Sequence, residues 1–100
     1  MTLKEICTEV AEIEEGLMYG SVEASYDALA SAMKPGTPAD LLDDVLSMIG
    51  WDVFAGKEIE TERVKEWKDA LQGFRNDYQV EELDEPIRHV TEYLERRKEK

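Results

Sequence analysis

The chain has 100 residues, 42% of them apolar, with two tryptophans, four tyrosines and two phenylalanines. That is enough for one modest core, too little for two, and too aromatic for a disordered acidic tail. The formal charge of −12 repels nucleic acid and anionic membranes and attracts basic surfaces, so direct DNA or RNA binding is excluded as an expectation.

Thr2 and Glu5 have capping-box spacing, which predicts a helix start. Leu3, Ile6, Val10, Ile13 and Leu17 then follow at intervals of three and four, making one buried stripe. Gly16 and Gly20 weaken its end. Ser21 is the expected cap of a second helix with stripe Val22, Tyr26, Leu29 and Met33. Pro35-Gly36 reads as a turn, and Thr37-Pro38 as a cap followed by a proline at the first helical position. The third helix is expected from Pro38 to Ile49, with Leu42, Val45, Leu46 and Ile49 inward, Gly50 as its left-handed terminator and Trp51 folded back on the last turn.

Residues 51–60 have no clear period and fit either a loop or a short hairpin. Thr61 is expected to cap a fourth helix with stripe Val64, Trp67, Leu71, Phe74 and Tyr78, fraying near Asn76 to Tyr78. An acidic link, Gln79 to Glu85, precedes a last helix with Asp84 as cap, Pro86 in the first turn and Ile87, Val90 and Leu94 inward. The expected fold is all-α: one domain over residues 1–100, a small bundle of about five helices with a short basic tail at 96–100.

No apolar run reaches 18 residues, and the first residues read as amphipathic helix rather than as a charged-then-apolar leader. A cytoplasmic protein is expected. The single cysteine, Cys7, has no internal partner for a disulfide and reads as a small residue on a helix flank.

The acids are unevenly placed. Residues 1–56 carry eleven acids against Lys4 and Lys34, a balance of −9; residues 57–95 carry −6 and the tail +3. On the first helix Glu5, Glu9 and Glu12 cluster opposite the apolar stripe and Glu15 extends them, with no base three or four positions from Glu9, Glu12 or Glu15. Asp40, Asp43 and Asp44 repeat the pattern on the third. In the second half Lys65–Asp69, Arg88–Glu92 and Glu92–Arg96 stand at (i, i+4), where they can neutralise one another. The unpaired cluster costs on the order of 1–2 kcal/mol against a typical stability of roughly 5–15, so folding tolerates it. It fits either a solubilising face or a patch that engages lysines and arginines of a partner. Trp51, Asp52 and Phe54, in the unpatterned connector, are candidate anchors beside that patch.

Catalytic parts are missing: the sequence has no phosphate-cradling glycine loop, HExxH or CxxC. Glu85, His89 and Glu92 share a helix face but read as a surface ion cluster. No cofactor or metal is expected.

"LKEICTEV" and "RVKEWKDAL" resemble short helical stretches of the colicin-nuclease immunity proteins, though their paired-tyrosine turn has no counterpart here. The chain as a whole, in "KEICTEVAEIEEG" and "PADLLDD", resembles the small acidic phage anti-CRISPR proteins. That resemblance implies a non-enzymatic inhibitor in the host cytoplasm that docks on a CRISPR effector complex and blocks its DNA site. The contact residues it would use here are Glu9, Glu12, Glu15, Asp43, Asp44, Trp51, Asp52 and Phe54. The alternative is a structural or adaptor module acting through homo- or hetero-oligomerisation.

Overall fold

The computed structural model describes residues 1–25 and 36–98. Among these, four α-helices and one short 3-10 turn form the architecture, with no strand. The helices are α1 (Leu3–Tyr19), α2 (Pro38–Phe54), α3 (Thr61–Tyr78) and α4 (Asp84–Lys98), and Glu81–Leu83 is the turn before α4.

Local chemistry accounts for the starts of α1 and α2. The Glu5 amide donates to Thr2 Oγ1 at 3.2 Å while the Thr2 amide donates to the Glu5 carboxylate at 3.2 Å. Thr37 and Asp40 make the same reciprocal pair, with Pro38 just inside. Each box satisfies amides that the first turn cannot pair internally. Gly20, at φ 82°, ends α1.

The expected end of the third helix is wrong. α2 runs through Gly50 to Phe54, so Trp51, Val53 and Phe54 are helical and no hairpin forms. A glycine inside a helix costs about 1 kcal/mol, and continuation offsets this by hydrogen-bonding another turn of backbone and laying Val53 on the core. The stop falls at Gly56, with φ 78°. The Gly56 amide donates to the Val53 carbonyl at 3.2 Å and the Lys57 amide to that of Asp52 at 3.0 Å, a Schellman motif.

Four smaller expectations also change. Ser21–Ser25 is not helical: the Val22 N–H and the Ser21 hydroxyl donate back to the Gly16 carbonyl at 3.0 and 3.4 Å, so Ser21 closes the end of α1 instead of opening another helix. Tyr26, Leu29 and Met33 of the expected second helix lie outside the described residues. Glu60, not Thr61, precedes α3, and α3 continues unfrayed to Tyr78, ending on Gln79 in the left-handed conformation. Asp84, expected as a cap, is the first residue of α4 and accepts two hydrogen bonds from Arg75, at 2.8 and 3.3 Å.

One core serves all four helices. Ile6, Val10, Leu42, Ile49, Val64, Trp67, Leu71 and Val90 are fully inside, together with Val80 and Leu83 from the acidic link. Cys7 is buried among them rather than on a flank, and burial pushes its thiol up to about 11. Trp67 donates its indole N–H to the Val45 carbonyl at 2.9 Å, fixing α3 against α2. α1 and α2 run antiparallel, Lys4 lying 5.6 Å from the Phe54 ring centre at one end and Glu14 meeting Asp43 at the other. No described helix is long and apolar enough to cross a membrane.

Candidate partner-binding surface

The surface with the strongest departure from an ordinary solvated face lies on α2. At about 100° per residue, Asp43, Ser47, Gly50, Trp51 and Phe54 fall within one stripe, and Leu46 borders it. These six residues line a groove of about 330 Å³. Its floor is Gly50, where a Cβ would meet nothing nearer than Leu46 Cγ at 3.9 Å. Its walls include Trp51, 79% exposed, and Phe54, 55% exposed. Large aromatic side chains left in water at neighbouring helical positions give up burial each could have had, which is the signature of contact surface.

The acids beside the groove are not equivalent. Asp43 sits at its end and accepts a hydrogen bond from Glu14 across the α1–α2 seam. Glu14 is half-buried, and its carboxyl is pushed up to about 7 by burial first, then by the Asp43 charge and hydrogen bond, then by Asp40. Asp44, Glu12 and Glu15 are exposed, with no cation in contact among the described residues. Helical geometry separates them, however. Glu12 stands about 160° round α1 from Glu14, the residue that meets α2, so Glu12 and Asp43 do not share a face.

Glu9 is different in kind. Its carboxylate, 25% exposed, accepts from His89 Nδ1 at 2.7 Å, tying α1 to α4. Sequence spacing showed no local base for Glu9 because its partner is 80 residues away. Asp52 is half-buried at the other end of α2 and pairs with Lys57 at 3.6 Å. Of the eight residues proposed from sequence, the fold therefore brings Asp43, Trp51 and Phe54 to one groove. It leaves Glu12 and Glu15 exposed together on α1 and Asp44 exposed on α2 outside the groove, and uses Glu9 and Asp52 within the molecule.

Leu46, Ser47, Gly50 and Glu14 were missed. The four-residue rhythm Asp43–Ser47–Trp51 would have found the groove had Gly50 not been read as a stop. The expected (i, i+4) ion pairs of the second half also rearrange. Lys65 pairs with Glu62 at 3.3 Å and Arg88 with Glu85 at 2.6 Å, both at (i, i+3), while Arg96 reaches backbone carbonyls.

The groove offers apolar contact and negative charge. Ser47 donates its hydroxyl to the Asp43 carbonyl at 2.9 Å, and none of the lining residues is basic, while Lys4 of α1 lies 5.6 Å from the Phe54 ring centre. Comparison of the chain with protein-family models, curated proteins and solved structures gives no match.

Proposed function

We propose that this chain is a non-enzymatic inhibitor that presses the α2 groove and its flanking carboxylates against a basic nucleic-acid-binding surface of a protein complex. The leading partner class is a CRISPR surveillance complex, with target DNA as the ligand excluded. One observation carries the reading: Trp51 and Phe54 stand exposed on the same groove as Asp43, in a half of the chain whose balance is −9. An aromatic anchor beside unneutralised acids suits a surface of lysines and arginines with aliphatic stems, since arginine packs on aromatic faces while pairing with carboxylates.

The apolar floor of the groove favours a second reading, an adaptor module that seats a helix of another chain there. Salt separates the two, because the screening length falls from about 10 Å at 0.1 M to about 3 Å at 1 M while apolar contact is not weakened.

The test is a DNA mobility-shift titration with the surveillance complex. The parent should abolish DNA binding near one-to-one stoichiometry at 0.1 M salt. The variant Asp43→Lys should be at least tenfold weaker, with circular dichroism unchanged because a base introduced at position 43 would pair with Glu14. Full inhibition by that folded variant, or none by the parent, would overturn the inhibitor reading. Glu9 is a poor choice for the charge reversal, since its loss also breaks the tie to His89. A partner retained at 1 M salt and lost with Trp51→Ala would favour the adaptor.

A further inference from the structure

Independently of that reading, we propose that a second cleft binds a small organic anion, a carboxylate or phosphate group carried on an apolar or aromatic body. The cleft, about 950 Å³, lies between the start of α1, the loop after α2 and the last turns of α4. Leu3, Val53, Ile59 and Tyr93 supply its apolar wall, and Lys57, Arg96 and Arg97 its charge. Its volume is that of a small-molecule site.

What distinguishes this cleft is how the arginines of an acidic chain are distributed. There are five. Arg63, Arg75 and Arg88 each hold a carboxylate at hydrogen-bonding distance: Glu66 at 3.1 Å, Asp84 at 2.8 Å and Glu85 at 2.6 Å. The two that hold none among the described residues are Arg96 and Arg97, and both line this cleft. With acids twice as numerous as bases, a hydrogen-bonded carboxylate is the default outcome for an arginine, so two adjacent arginines on one wall without one mark a place where positive charge is kept available.

The exceptions are also held in position. Arg97 Nη1 donates to the Ile59 carbonyl at 2.8 Å and to the Tyr93 hydroxyl at 3.3 Å, and its guanidinium lies 5.6 Å from the Tyr93 ring centre. Its Nη2 is 4.0 Å from Glu58, a side chain 93% exposed and the one carboxylate lining the cleft. Arg96 reaches the Glu92 and Met1 carbonyls at 3.5 Å each, the outer limit of hydrogen bonding. Lys57 makes one loose pair with Asp52, at 3.6 Å. The lining thus carries three cations against one acid in a chain of net −12. Guanidinium donors in a fixed fork suit a two-oxygen anion, and the adjoining apolar wall suits the body that carries it.

The experiment is an amide NMR titration of the intact chain with phenyl phosphate and with benzoate. Inorganic phosphate and phenol serve as the charge-only and ring-only controls. Saturating shifts confined to Ile59, Tyr93, Arg96, Arg97 and their neighbours, with a Kd below about 10 mM for at least one aromatic anion, are expected. Lys57→Ala/Arg96→Ala should weaken binding at least tenfold. It leaves the Arg97 tie to Ile59 in place, and an unchanged amide spectrum would show that the fold survives. Tighter binding of phenyl phosphate would identify a phosphate ester as the ligand chemistry, and tighter binding of benzoate a carboxylate. Absence of saturation with both, equal binding of inorganic phosphate or phenol, or full affinity in the folded double variant would each overturn the proposal.

Discussion

Glu14 shows how one residue can change character between sequence and fold. On the helical wheel it is one acid among five; in the structure it stands half-buried against Asp43 and Asp40. Its carboxyl rises from the ordinary 4.5 to about 7. Between those values the folded chain holds a proton that the unfolded chain has released. The stability this confers is therefore complete below pH 4.5 and is lost as pH rises through 7. Glu14→Gln, which keeps a donor toward Asp43, should flatten stability between pH 5 and 7. At pH 8 it should exceed the parent by on the order of 1 kcal/mol, a figure reduced for solvent screening at this half-buried site. Urea midpoints of both proteins at pH 5 and pH 8 check this, and parallel pH dependence would count against the raised Glu14 carboxyl. Glu9 was legible as an acid but not as a tie, because sequence spacing reports neighbours on one helix and His89 arrives from another.

At the level of elements, three of the glycines in and around α1 and α2, Gly16, Gly50 and Gly56, separate by what surrounds them. A Cβ on Gly50 would meet only Leu46 Cγ at 3.9 Å, and its backbone is helical, so Gly50→Ala should raise stability by about 0.5–1 kcal/mol. The added methyl would also shallow the α2 groove, so a gain in stability paired with lost partner binding would tie that glycine to the surface. Gly16 lies under Val22, whose Cγ2 would be 2.5 Å from the new Cβ, and Gly16→Ala should lower the denaturation midpoint. Gly56 holds φ +78°, where any side chain is strained. The starts of α1 and α2 were readable because their cap residues lie on one short stretch of chain. The end of α2 was not, because either glycine could stop it, and the packing of Val53 decided between them.

Across the whole molecule, the radius of gyration of 13.5 Å is that of a packed 100-residue body, about 13 Å. Its two tryptophans divide the work. Trp67 is fully buried and bonded to the Val45 carbonyl, so Trp67→Ala should cost about 3–5 kcal/mol, a large share of a typical roughly 5–15. Trp51→Ala, at 79% exposure, should stay within about 0.5 kcal/mol of the parent. Urea unfolding of both variants measures the contrast, and comparable losses would mean that Trp51 is packed rather than presented. The tail at 96–100, legible as basic, gains meaning only when Arg96 and Arg97 are seen to share a cleft with Lys57 and residues of the first turn.

Residue spacing was sufficient for the helical class, the inward stripes of α3 and α4, the Thr2/Glu5 capping box, the Thr37 cap and the acidic bias of the first half. Each of these depends on intervals of a few residues, which chain geometry converts directly into faces and caps. Packing was needed to settle where α2 stops, that Val80 and Leu83 of the acidic link belong to the core, and which acids are free. It also brought to one wall the two arginines that hold no carboxylate at hydrogen-bonding distance among the described residues. Those outcomes depend on which helix lies against which, and a contact between residues 80 positions apart leaves no period in the chain that makes it.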